Sequence, residues 1–85
     1  MKNVVNTIMI LEINKLLNDN DIEYSIHGIG GCTSCGLEVR QEGKECSIDR
    51  IIDVINNYLN DYWIYVKLNE LGYLTIHSKY GGNDD

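Results

Sequence analysis

The residues of this 85-residue chain with the most chemical character are Cys32 and Cys35, separated by two residues in the run Gly28-Ile29-Gly30-Gly31-Cys32-Thr33-Ser34-Cys35-Gly36. That spacing lets two thiolates meet one zinc ion, whose tetrahedral shell accepts sulfur and imidazole nitrogen. Two more ligands are needed. Cys46 is a poor one, because the strand-like stretch from Gly36 to Gln41 at about 3.3 Å per residue would carry it close to 20 Å away. His27 stands at the other end of the same loop, and His77 can join if the first and fourth strands are neighbours. The candidate metal site is therefore His27, Cys32, Cys35 and His77, and zinc is the one cofactor these residues suggest.

Other chemistry fits this loop less well. Thiol redox activity needs a depressed thiol pKa, usually from a helix N-terminus or nearby positive charge, and here a strand follows the pair. The glycines offer free backbone amides, yet no lysine and no following helix complete a phosphate cradle. Without a ligand, the loop is a glycine-rich hairpin whose cysteines pack as small apolar groups or form an incidental disulfide. Ser25, Ser34, Ser47 and Ser78 lie in no nucleophile motif, and both histidines fall on outward-facing strand positions. No catalytic residues are assigned, and the chain reads as non-enzymatic.

Composition narrows the partners. With 13 acidic and 7 basic residues the net charge is −6, which argues against direct nucleic-acid binding, since phosphate recognition needs a cationic surface. A basic protein partner remains open, as does mimicry of nucleic acid through acids such as Asp49, Asp53 and Asp61. Three cysteines, an odd number, suit a reducing compartment better than a disulfide-stapled scaffold. The N-terminus does not read as a secretion signal, and no apolar run is long enough for a bilayer. A cytoplasmic protein without membrane contact is expected. The chain lacks Pro, Phe and Ala and is rich in Ile, Asn and Tyr, a bias that fits an AT-rich genome such as that of a low-GC bacterium or its phage.

The elements that must position these residues follow from periodicity. Val4 to Asn18 has a broad apolar face at helical spacing, with Asn3 or Asn6 as cap. Ser47 caps a second helix with the stripe Ile48, Ile51, Ile52, Ile55 and Leu59. Each helix is followed by two stretches of alternating apolar residues, which read as hairpins. The expected inward face is Ile22, Tyr24, Ile26, Leu37, Val39, Ile64, Val66, Leu68, Leu74 and Ile76. The fold class is α+β: two helix-strand-strand repeats, about 4–41 and 46–79, forming a four-stranded antiparallel sheet with both helices on one face. Residues 1–80 are read as a single domain and 81–85 as a flexible tail.

The repeat is visible as sequence. A shift of 42 lays Ile10 to Ile26 on Ile52 to Leu68 with seven of 17 positions identical, among them Asn14 on Asn56. The second copy is then five residues shorter, and the excess is assigned to the Gly28–Gly36 loop. The element order is similar in topology to that of LAGLIDADG homing endonucleases, although the helix motif of that family is absent. The resemblance implies Asp19 and Asp61, at equivalent helix ends, as an acid pair sharing a metal.

The helix-free face would carry Trp63, Tyr65 and Lys67, then Tyr73, Thr75, His77 and Lys79, with Glu23, Ser25 and His27 beyond. Exposed aromatic content of this kind marks interfaces. The expected function is a small protein-binding regulator or inhibitor, encoded by a phage or mobile element and directed at a bacterial enzyme such as a defence nuclease. Trp63, Tyr65, Tyr73, Gly30 and Gly31 are the binding candidates. The same face could serve a homodimer; a zinc module and an acidic nucleic-acid mimic are the alternatives.

Overall fold

The structure, a computed structural model, describes residues 5–30 and 32–79, and for 32–35 the backbone alone. The expected tail at 81–85 and Gly31 lie outside the described residues. Helix α1 spans Thr7–Asp19 and α2 Ile48–Leu59; strands are β1 Tyr24–Ile29, β2 Cys32–Gln41, β3 Ile64–Leu68 and β4 Leu74–Ser78. The fold is α+β, with the order helix-strand-strand twice. Asn6 caps α1 by accepting the Met9 N–H at 2.9 Å, so the helix starts three residues later than its apolar face suggests. Ser47 caps α2 through the Arg50 N–H at 3.3 Å. A single 3-10 turn, Asn60–Tyr62, extends α2 and hands the chain to β3 through Trp63.

The sheet is antiparallel in the order β1-β2-β4-β3, so the two hairpins meet through their second strands. At the junction Leu37 pairs with Leu74, and both are fully buried. Met9, Ile13 and Leu17 of α1 and Ile51, Ile55 and Leu59 of α2 meet Ile26, Leu37, Ile64, Val66 and Leu74 in one core. Of the ten expected inward residues, nine are buried or packed against this core. Leu68 is the exception at 45% exposed, because it ends an edge strand beyond the core's cover.

Each helix is tied to an edge strand by one asparagine. Asn14 donates to the Ile26 carbonyl at 3.2 Å and accepts the Ile26 N–H at 2.8 Å. Asn56 does the same to Val66, at 3.3 and 2.8 Å. The two asparagines are equivalent in the repeat, but their strand partners are not equivalent under the same shift. Asn14 reaches 12 residues ahead and Asn56 reaches ten. From there Ile26 pairs with Val39 and Val66 with Ile76, separations of 13 and ten. The five extra residues thus divide, two between helix and strand and three in the hairpin, which corrects the assignment of all five to the loop. A slip of two keeps every side chain on its face, so the alternation hides it.

That loop is also tighter than expected. Ile29 pairs with Cys32, so the turn lies between them, with Gly30 at φ +58°. The rest of the Gly28–Gly36 run belongs to the strands, with an irregularity where pairing jumps from Gly28–Leu37 to Ile29–Cys32.

The helices run antiparallel. Arg50 at the start of α2 donates to the Asn20 carbonyl past the end of α1 at 3.0 Å, while Tyr58 near the end of α2 bonds to Glu12 in mid-α1. Asp19 and Asp61 therefore lie at opposite ends of the helix pair and form no acid pair. Asp19 is instead 3.6 Å from Lys15 one turn back.

Two predictions follow from these ties. Asn14→Ala and Asn56→Ala should each cost about 1–3 kcal/mol, since each strips two hydrogen bonds from half-buried strand backbone. Asp substitutions should do no better, because a carboxylate cannot donate to the carbonyl; urea midpoints equal to wild type would refute this. The Tyr58 phenol is held above its ordinary value of 10.0 by partial burial first, then by its bonds to Glu12 and Tyr62. An acid whose folded pKa is raised contributes its full stability below the unfolded pKa and loses it as pH rises past it. Urea midpoints should thus fall between about pH 9 and 11, and Tyr58→Phe should flatten that slope.

Candidate functional site

The face of the sheet opposite the helices carries the odd-numbered residues of β1, β3 and β4 and the even-numbered residues of β2. Its centre is set by a glycine. Gly36 is buried with φ +135°, and a Cβ there would sit 2.9 Å from the Leu74 carbonyl oxygen and 2.9 Å from the Tyr73 ring. The Tyr73 ring thus packs against β2 at Gly36, filling the place where a side chain would stand. Glycine supplies both the rare backbone angle and the missing bulk.

Beside it, Tyr65 of β3 and His77 of β4 are directly opposed in register and stack, with centroids 5.3 Å apart and planes 21° apart. His77 Nε2 is 2.8 Å from Thr75 Oγ1, which fixes the imidazole along its own strand. Lys67 places its ammonium 5.8 Å from the Tyr65 ring centre, within cation–π reach. All three rings are half-buried, although no helix among the described residues covers them.

The β1–β2 half of the face is polar. Ser25 donates to Glu42 Oε2 at 2.6 Å and lies 2.8 Å from His27 Nε2. With its one proton committed to Glu42, Ser25 accepts from His27, so the order is imidazole, hydroxyl, carboxylate. A nucleophilic triad requires the imidazole in the middle, so this chain of bonds orients side chains and does not activate Ser25. Arg40 pairs with Glu38 at 3.1 Å on the same strand.

The expected metal ligands do not come together as supposed. His27 is on β1 and His77 on β4, with β2 between them. Extending the Leu37–Leu74 register places His27 level with Tyr73, four residues short of His77 along β4. The neighbouring strands on which His77 depended are absent, because the hairpins join through β2 and β4. Side chains of Cys32 and Cys35 lie outside the described residues. Among the described residues no three His, Cys, Asp or Glu side chains gather as a ligand set. Cys46 is half-buried, its N–H bonded to the Tyr24 hydroxyl at 3.2 Å.

Trp63 departs from its expected place. It precedes β3 instead of opening it, and its backbone is left-handed, φ 62°, where it caps the 3-10 turn. That conformation is costly for a bulky residue, and the indole is 56% exposed. Reading by alternation could not find this, because a left-handed residue breaks the alternation it would be read from.

A second apolar area was not foreseen. Ile8 and Leu11 of α1 are 66% and 65% exposed, and Tyr62 is exposed near the helix ends, beside Tyr58 at 5.4 Å between centroids. The signal was present in α1, whose apolar residues spread over more of its circumference than one packed face requires.

Among the described residues no helix is long and apolar enough to cross a membrane. No family model matches the chain, and no curated protein and no solved structure matches it either.

Gly36→Ala should be among the most damaging single changes on this face, costing roughly 2–4 kcal/mol from backbone strain and overpacking together. Thermal unfolding measures it. A wild-type melting temperature would mean that Tyr73 and the Leu74 carbonyl move aside freely and that the glycine holds nothing in place.

Proposed function

We propose that the protein works by binding another protein through the helix-free face of its sheet, as a regulator or inhibitor and not as a catalyst. One observation carries this reading: aromatic rings held in place on a face that no described element covers, Tyr65 stacked on His77 and Tyr73 seated over Gly36. Rings held in one orientation give up little conformational freedom on binding, which is what makes tyrosine and tryptophan effective interface anchors. The formal charges on the described face cancel, with Glu23, Glu38 and Glu42 against Arg40, Lys67 and Lys79. A phosphate backbone would find no cationic surplus there. Trp63, at the end of β3, extends the apolar surface beyond the sheet.

The test is capture with tagged protein from cells that express it. A specific partner should be retained by wild type and by Asp53→Ala on the exposed side of α2, and lost with Tyr65→Ala and Trp63→Ala. The two aromatic variants should keep the wild-type circular dichroism and urea midpoint. Loss with Asp53→Ala alone would move recognition to the carboxylates and favour nucleic-acid mimicry. Unfolding of Trp63→Ala would make Trp63 a structural residue.

A further inference from the structure

We infer that the partner this face fits is a second copy of the same chain, packed sheet to sheet about a two-fold axis parallel to the strands. The inference rests on the face being a binding surface, as proposed above, and adds what occupies it. Charge is the argument. The chain carries −6, yet the described face is neutral, with Glu23, Glu38 and Glu42 balanced by Arg40, Lys67 and Lys79. The whole net charge therefore lies on other surfaces. Two copies of an acidic protein repel wherever those surfaces meet, and the helix-free face is where they can approach.

The charges on that face are also divided. The β1–β2 half holds the carboxylates Glu23, Glu38 and Glu42 against one cation, Arg40, beside Ser25 and His27. The β3–β4 half holds Lys67 and the stacked rings of Tyr65 and His77. In the order β1-β2-β4-β3, a two-fold axis parallel to the strands lays β1 over the partner's β3 and β2 over the partner's β4. Each carboxylate half then meets a lysine-and-aromatic half, twice, as an isologous contact requires. An axis across the strands would lay each half on its own kind, so charge selects the first.

Size sets the strength. Four strands at about 4.8 Å and five residues at about 3.4 Å give a footprint of roughly 19 by 17 Å, so the pair covers on the order of 650 Å² of sheet, below the roughly 1,000 Å² of a stable specific interface. The dimer should therefore be concentration-dependent, half dissociated on the order of 10–100 µM.

Sedimentation velocity from about 5 to 500 µM on the full chain tests this. Wild type should pass from monomer to dimer. Tyr65→Glu should raise the dissociation constant at least about tenfold, with circular dichroism unchanged. Lys67 is exposed, so Lys67→Glu gives a surface variant should Tyr65→Glu fold poorly. Lys67→Glu and Glu38→Lys should each weaken the dimer, and the two together should restore it. A wild-type monomer throughout overturns self-association, and Tyr65-dependent capture of a foreign protein would still uphold the binding face. A dimer indifferent to Tyr65→Glu and Lys67→Glu but dissociated by Leu11→Asp would place the contact on the helix layer and overturn the inference. A dimer weakened by both charge reversals but not restored by combining them would refute the proposed axis.

Discussion

The fold depends on two side-chain amides. Asn14 and Asn56 each present a carbonyl oxygen and an amino group to the backbone of an edge strand, offering the bond pair that another strand would offer. One interaction does three things. It satisfies backbone groups at the margin of the core, where an unpaired donor is expensive. It fixes the height of each helix against its hairpin, so that Ile13 and Ile55 arrive over the sheet and not beside it. It also occupies part of each outer edge, where a sheet is otherwise open to further strands.

Because the asparagines index each strand to its helix, the segments between them are free to differ in length. That freedom explains what was legible in the sequence. The helices were, since thirteen and twelve residues of 3.6-fold pattern with polar caps leave little choice. The inward face was legible too, apart from Leu68, because alternation survives a slip of two residues. The true correspondence of the strands was not, since identity of Ile22 with Ile64 drew the alignment two places away from the one the hydrogen bonds use. Asn14 over Asn56 was in view as a repeated polar residue next to the apolar stripe, and its role needed the strand it touches.

The helix-free face was legible as a list of residues and not as a surface. Tyr65, Tyr73 and His77 were expected there and are there. What alternation cannot say is what each ring packs against, and that depends on Gly36 and on the direct opposition of Tyr65 to His77. Sheet order decided more. Joining the hairpins through β2 and β4 parts His27 from His77, and the accompanying antiparallel helices part Asp19 from Asp61. Both separations are set by topology, which local pattern does not encode.

The junction at Leu37 and Leu74 bears on the order of assembly. Within each half, helix meets strand and strand meets strand across 10 to 13 residues, loops short enough to close early. The β2–β4 pairing joins residues 37 positions apart and is the one strand pairing between the halves. It carries the largest entropic cost of closure in the sheet, and the hairpins it joins are already shaped when it forms. The chain is thus built to fold as two nearly independent pieces that then recognise each other, an encounter within one molecule of the kind that separate subunits make between two.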